Sequence, residues 1–212
     1  MAKPYGLLSG GFNYSNVPED EFNAWYDTEH LQSRQSVKGF INGRRWVGAD
    51  DPKISIATYD LESLDVLRTP EYLAITNDNL SPWSKRVIGK CQRICRFEAE
   101  QIVPGRQAAP AEAGGLLWFA MNVAPEVEAE FNAWYNDEHL PRLTAVAGCL
   151  CARRFKIASG SHRYLAIYHL VSPEVQASPA WKEAAGTPWT AKIRPHLRDP
   201  LRFVLRAYTR KV

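Results

Sequence analysis

Cysteine is scarce in this 212-residue chain, and the four present, Cys91, Cys95, Cys149 and Cys151, show no CxxC spacing. That argues against a zinc knuckle and leaves the thiols to be read as reduced core residues, with no metal expected. No apolar run approaches the ~20 residues of a membrane-spanning helix. The first five residues, Met1 to Tyr5, lack the apolar stretch of a secretory signal. A cytoplasmic protein with no membrane partner is therefore expected. Charge of one sign is also lacking, since 26 Lys and Arg against 23 Asp and Glu leave a net charge of +3. With no basic run interleaved with aromatics, nucleic acid is not an expected partner. A glycine-rich phosphate loop is missing, as is a Ser or Cys nucleophile elbow, so neither dinucleotide chemistry nor acyl transfer is expected.

What the chain does contain is a duplication. Glu21-Phe22-Asn23-Ala24-Trp25-Tyr26 recurs 109 positions later as Glu130-Phe131-Asn132-Ala133-Trp134-Tyr135, and Glu29-His30-Leu31 recurs as Glu138-His139-Leu140. At the same shift Gly39 meets Gly148, Arg44-Arg45 meets Arg153-Arg154, Tyr59 meets Tyr168 and Pro70 meets Pro179. The register then slips by three residues, pairing Pro82-Trp83 with Pro188-Trp189 and Phe97 with Phe203. Such a short indel belongs in a loop of the second helical region. Each copy, at about 100 residues, is long enough to hold its own core.

One copy reads as βαββαβ. Segments 5–14 and 115–123 are aromatic and aliphatic and predict a first strand. A helix follows over 18–31 and 125–143, opened by Pro18 or Pro125, with Asn16 as a cap for the first; Pro141 is expected to end or bend the second just after His139. Strand-like runs at 40–48 and 54–61, matched by 149–157 and 163–171, are joined by short polar turns and predict hairpins. A second helical region, 63–88 or 173–194, is broken at Pro82 or Pro188, and a last strand runs 90–103 or 201–209. The expected organisation is a first module over 1–103, an exposed Pro/Ala/Gly-rich linker over 104–114, and a second module over 115–212. The fold class is α+β, as tandem ferredoxin-like modules. Each antiparallel sheet carries both helices on one face, and the bare faces pack together.

A helical wheel at about 100° per residue gathers Phe22, Trp25 and Tyr26 into one arc, with Glu29 projecting into its middle and His30 at its edge. Asn23 and Asp27 point elsewhere. Glu138, His139, Tyr135 and Trp134 repeat the pattern. A carboxylate among aromatics is costly unless paired, and desolvation raises its pKa toward the range useful for proton transfer. The structural alternative is that Glu29 satisfies an Arg or an amine while His30 completes a helix C-terminus. Strand parity places Arg44 and Arg153 with Phe40, Trp46 and Phe155 on the helix-covered face, as partners for the Glu or for a substrate oxyanion; a rim position for both arginines stays open.

The pattern Glu-Phe-Asn-x-Trp-Tyr-x-x-Glu-His-Leu on the first helix of a βαββαβ module resembles the dimeric α+β barrel superfamily and, within it, the EthD-like proteins. The resemblance covers nearly the whole chain outside the linker. It implies that the two sheets join into an intramolecular α+β barrel, with a pocket between sheet and helices in each module. Relatives include cofactor-free monooxygenases, isomerases, cyclases and decarboxylases, and also haem proteins whose axial His lies in the second helical region of the C-terminal module. Here that region offers only His196, which has no counterpart in the first copy, so no cofactor is expected.

The expected function is a cofactor-independent lyase or isomerase acting on a small aromatic or apolar carbonyl or carboxylate compound. His30 or His139 serves as acid or base, and Glu29 or Glu138 orients it or shares the proton. Tyr26, Tyr135, Arg44 and Arg153 hold developing negative charge, and Trp25 and Trp134 form core or wall. A cofactor-free oxygenase and a non-catalytic binding module for a hydrophobic metabolite are the competing readings. Asp27 becomes Asn136, Thr28 becomes Asp137 and Asp60 becomes His169, so the two pockets are not expected to be equivalent. The small-molecule substrate is the expected partner, and homodimerisation is left open.

Overall fold

Apolar residues on both sides of a strand mean that both sides are buried, and β1 shows this first. Leu7 and Leu8, on opposite faces, are each buried, because one face meets helices and the other meets the second copy. The computed structural model describes residues 2–209. The first copy supplies β1 (Gly6–Asn13), α1 (Glu19–Trp25), α2 (Leu31–Gln35), β2 (Arg44–Gly48), β3 (Ile54–Leu61), α3 (Pro70–Leu73), α4 (Pro82–Lys90) and β4 (Gln92–Val103). The second supplies β5 (Gly115–Val123), α5 (Glu128–Trp134), α6 (Leu140–Thr144), β6 (Cys149–Ser159), β7 (Tyr164–Leu170), α7 (Pro179–Ala185), α8 (Pro188–Ile193) and β8 (Leu197–Ala207). No helix among the described residues is long and apolar enough to cross a membrane.

The strands close into one antiparallel barrel in the order β1-β3-β2-β8-β5-β7-β6-β4. Within each copy this is the split βαβ arrangement, and the two seams between copies are β2–β8 and β4–β6. Trp46, Phe97, Trp118 and Phe155 fill the barrel interior, with Phe97 stacked on Trp118 at 5.5 Å between ring centroids. Ser9 and Trp118, one duplication period apart, touch across the axis: the indole Nε1 donates to the serine Oγ at 3.2 Å. Each helical layer covers the outer face of its own sheet, over Phe22, Trp25, Tyr59 and Tyr72 in the first copy and Phe131, Trp134, Tyr168 and Trp181 in the second.

Several boundaries differ from the sequence reading. Phe40 makes only an isolated bridge to Leu61, so β2 begins at Arg44. The strand expected over 201–209 is β8, which starts at Leu197 and crosses Pro200 through a bulge: Met121 lies opposite both Asp199 and Pro200, and Asp199 has φ 48°. Asn16 does not cap α1, whose first turn instead carries Glu19, Asp20 and Glu21 at the positive end of the helix. Segment 104–114 is not free in solvent, since its backbone is taken up at one end of the barrel. Arg44 donates to the carbonyls of Pro110 and Ala113 at 3.3 and 2.8 Å, and Arg153 donates to that of Gln107 at 3.0 Å.

At that end lies a buried ion pair joining the copies, Arg153 Nη1 to Asp60 Oδ1 at 2.7 Å, with side chains 0% and 1% exposed. Asp60 also accepts from Asn42 at 2.8 Å and from the Ala109 N–H at 2.7 Å, so its charge is met by donors from three segments. Asp60→Ala leaves Arg153 buried without its counter-charge and is expected to cost about 3–5 kcal/mol in urea unfolding. The double variant Asp60→Leu/Arg153→Met is expected to recover most of that loss; a double variant as unstable as the single would show that the stranded charge is not the cause.

Candidate functional site

The first helix of each copy is interrupted by a π turn at the same place, Tyr26–His30 and Tyr135–His139. The Leu31 N–H reaches back to the Tyr26 carbonyl, and the Leu140 N–H to that of Tyr135. A π turn holds one residue more than an α turn, so positions i and i+5 share a face. His30 is thereby carried onto the aromatic face, 4.3 Å from Trp25 and 4.9 Å from Tyr26 between ring centroids. His139 repeats this at 4.2 Å from Trp134 and 5.2 Å from Tyr135. Pro141 does not end the second helix. It follows the π turn in the first turn of α6, where its missing N–H costs little.

The same extra residue rotates Glu29 and Glu138 out of the aromatic arc, correcting the wheel reading. Ser81 and Ser84 each donate to Glu29 Oε1 at 2.6 Å, and Ser84 Oγ accepts from Trp25 Nε1 at 2.9 Å. In the second copy Thr187 donates to Glu138, and Thr190 accepts from Trp134 Nε1 at 3.1 Å. Ser81 and Thr187 are also the N-caps of α4 and α8. Each carboxylate therefore ties the two helices of its module together and seats the indole that packs on the histidine, through Ser84 in the first copy and through the Thr187–Thr190 hydroxyl pair in the second. Neither Glu29 nor Glu138 lines a cavity.

Between sheet and helices each module holds a cavity. The first, about 300 Å³, is lined by Tyr26, His30, Tyr59, Tyr72, Leu8 and Gly10 together with Arg34, Arg68, Arg93, Arg96 and Glu98. The second, about 510 Å³, is lined by Trp134, Tyr135, His139, Tyr168, Trp181, Leu117, Phe119 and Leu143, with Lys182, Arg194 and Arg202 at its exposed rim. Both volumes suit a small organic molecule. His30 is 7% exposed, and its Nδ1 is sealed from solvent without a hydrogen-bond partner, as is that of His139. Burial holds the His30 imidazole well below its ordinary pKa, with Arg34 and then Arg93 adding repulsion. Burial pushes His139 down to about 3, assisted by Arg154 and Arg194. Both rings are thus neutral bases. Burial raises the cavity phenols: Tyr135 to about 12, Tyr26 in the same direction, and Tyr59 and Tyr168 well above the usual value. All four phenols are protonated hydrogen-bond donors near neutral pH.

Arg44 and Arg153 do not lie on the helix-covered face. They do share a face with Trp46 and Phe155, but that face is the barrel interior: Arg44 lies 4.6 Å over the Trp46 ring, and Arg153 donates to His169 and Asp60. Strand parity held for Trp46 and Phe155 but not for Phe40, which lies outside β2 and packs on the helix side against Tyr59 and Tyr72; the assignment to a side failed because both sides are buried. The helix-facing arginines are Arg45 and Arg154. Arg45 donates to Asn23 at 2.7 Å, and Arg154 donates to Asn132 at 2.8 Å and Asn136 at 2.7 Å. Of the other named residues, Trp134 is cavity wall while Trp25 is core beneath His30. The sequence reading missed Tyr59, Tyr168 and the Ser/Thr hydroxyls. Their signal was present, since Tyr59 recurs as Tyr168 and Ser81-Pro82-Trp83-Ser84 as Thr187-Pro188-Trp189-Thr190.

His196 lines neither cavity, and its backbone carbonyl accepts from Ala124. It does not fit the place of a haem ligand. Among the described residues no group of three or more His, Cys, Asp or Glu could hold a metal ion. No family model and no curated protein matches the chain. Solved structures do. An anthrone oxidase-like protein matches with a TM-score of 0.69 at 12% identity, covering 98% of this chain and 92% of its own. A putative monooxygenase from Fusobacterium nucleatum subsp. nucleatum matches with a TM-score of 0.67 at 10% identity, covering 99% and 94%. A putative chlorite dismutase matches with a TM-score of 0.64 at 9% identity, covering 98% and 96%. The fold is therefore shared with these structures: a closed antiparallel eight-stranded barrel made of two ferredoxin-like halves, here within one chain.

The buried histidines tie stability to pH. His30, His139 and also His169, buried beside Arg153, all have folded-state pKa values depressed below the ordinary 6.5. The unfolded chain therefore binds more protons than the folded one below about pH 6.5, and stability falls as pH drops. Each histidine contributes up to ~1.4 kcal/mol per pH unit until its folded pKa is reached. Urea unfolding at about pH 7, 6 and 5 is expected to show this decline, with a shallower slope in His169→Asn; equal stability at all three pH values would contradict it.

Proposed function

We propose that the chain is a cofactor-independent, EthD-like enzyme that moves a proton on a small aromatic or apolar carbonyl or carboxylate compound. The observation that carries this reading is the buried, neutral imidazole of His30, packed on an indole and lining a cavity beside two phenols, with the same set repeated around His139. Nδ1 is sealed, so Nε2 is the nitrogen that exchanges a proton with substrate. The imidazole removes a proton from carbon, and the electron pair moves onto the adjoining carbonyl oxygen. Tyr26, or Tyr135 on leaving Met121 Sδ at 3.6 Å, donates a hydrogen bond to that oxyanion, while the sealed hydroxyls of Tyr59 and Tyr168 stand behind them. The imidazolium then returns the proton at a new carbon, completing an isomerisation. In a decarboxylation no proton is removed first; the pair of the breaking carbon–carboxylate bond moves onto the same oxygen as carbon dioxide leaves, after which the carbon takes up a proton delivered through the imidazole. Glu29 and Glu138 act as positioning residues through the hydroxyl-indole relay that seats each histidine.

A second reading, a cofactor-free oxygenase, draws support from the anthrone oxidase-like and putative monooxygenase structures that share the fold. It begins with the same proton removal, and the electron-rich anion then reacts with dioxygen instead of being reprotonated. A binding module would show neither outcome.

A thermal-shift screen of aromatic acids, phenols and lactones, run on the wild type, His30→Ala and His139→Ala, tests these readings. Turnover and oxygen uptake are followed for each compound that binds. A compound bound by all three proteins, converted without oxygen, and slowed about 10²–10⁴-fold in one variant is the expected result. The depressed imidazole pKa also predicts kcat/KM nearly flat from about pH 8 to about pH 6. Oxygen consumption that tracks turnover would select the oxygenase, and equal binding with no conversion would leave only a binding module.

A further inference from the structure

The two cavities share their histidine and two of their phenols but differ in charge at a deep position. Arg34 on α2 and Leu143 on α6 are equivalent in the duplication, and both line their cavities. Arg34 is 7% exposed and makes no ion pair among the described residues. Among the described residues its hydrogen bonds all leave Nη1, to the His30 carbonyl at 2.9 Å and to Ser33 Oγ at 3.2 Å. Nε and Nη2 have no protein partner and are not sealed, so they open into the cavity. A buried guanidinium without a counter-charge is costly, and a ligand anion removes that cost. Around it the lining is cationic as well: Arg68 and Arg96 share the single carboxylate of Glu98, and Arg93 is exposed with no carboxylate of its own. The cations of the second cavity, by contrast, all stand at its exposed rim.

We propose that the first cavity is the binding site for a small aromatic carboxylate, gripped by the free edge of Arg34 one helical turn from His30, and that the second cavity takes neutral apolar compounds. The proposal rests on the reading of the first cavity as a substrate site and adds the charge of the ligand. A carboxylate paired with Nε and Nη2 makes the bidentate contact that guanidinium geometry favours. The aromatic body then lies among Tyr26, Tyr59 and Tyr72. Gly10, whose added Cβ would meet nothing within 4 Å, leaves the cavity open where Phe119 stands in the second copy.

Calorimetric titration of the intact protein with sodium benzoate and sodium salicylate, each against its methyl ester, tests this. The expected result is one carboxylate bound per chain, with affinity reduced about 10–100-fold in Arg34→Leu and less in Arg34→Lys, which keeps charge without the fork. Ester binding is expected to be unchanged in Arg34→Leu, which also serves as a check that the variant is folded. Gly10→Phe is expected to abolish carboxylate binding by filling the cavity, and Leu143→Arg to raise the stoichiometry to two. Equal binding of acid and ester by the wild type, no saturable carboxylate binding, or carboxylate binding unaffected by Arg34→Leu would each overturn the proposal. These readouts are binding, so absence of turnover would sink the catalytic reading while leaving the anion site standing.

Discussion

Everything in this structure follows from the need to cover the inner face of each four-stranded sheet. Helices cover the outer face, which leaves Trp46 and Phe97 from one copy and Trp118 and Phe155 from the other facing away from them. Apolar surface of that size in water would drive association, at roughly 25 cal/mol per Å² of area removed. The second copy supplies the matching surface, and the seams β2–β8 and β4–β6 turn two sheets into a barrel without open edges. Closing the barrel consumes the inner faces completely. The two cavities lined by the histidines therefore lie in the outer layer, between sheet and helices, one per copy.

Fusion of the copies releases a constraint that a dimer of identical chains would face. On a true two-fold axis each residue near the axis meets its own copy. Here Ser9 meets Trp118, and Asp60 stands where the second copy has His169, so an indole finds a hydroxyl and Arg153 finds both a carboxylate and a neutral imidazole. The same freedom extends to the cavities. Gly10 against Phe119 and Arg34 against Leu143 make one cavity cationic at depth and the other apolar, while the histidine, the phenols and the carboxylate clamp are common to both.

The clamp explains why a carboxylate survives in both copies although it does not reach a cavity. In each module a glutamate on the first helix accepts from hydroxyls at the start of α4 or α8, and the indole that supports the histidine is held there too, by Ser84, which also meets Glu29, or by Thr190, which meets Glu138 through Thr187. Chemistry at the imidazole thus depends on a second helix that contributes no reacting group. The short helices of the second region are capped by Ser or Thr ahead of proline, which sets their start and therefore the position of the clamp.

Closure of the two sheets into one barrel was implied by the family resemblance, whereas the duplication and the βαββαβ order of each copy could be read from residue spacing, because repeated motifs and hydrophobic runs are local signals. The histidine, tyrosine and tryptophan of the first helix were identifiable by the same route, since each recurs at a shift of 109. Which way they point was not. A wheel assumes 100° per residue, and one extra residue in a π turn exchanges the places of Glu29 and His30, bringing the His30 ring within 4.3 Å of Trp25. The side of the sheet taken by Arg44 and Arg45 was equally hidden, because alternation separates two faces without naming them when both are buried. Sequence by itself determined the elements and the cast of residues. Tertiary structure alone decided the facing of each side chain, since that depends on contacts between segments 50 to 100 residues apart, such as Glu29 with Ser81 and Asp60 with Arg153.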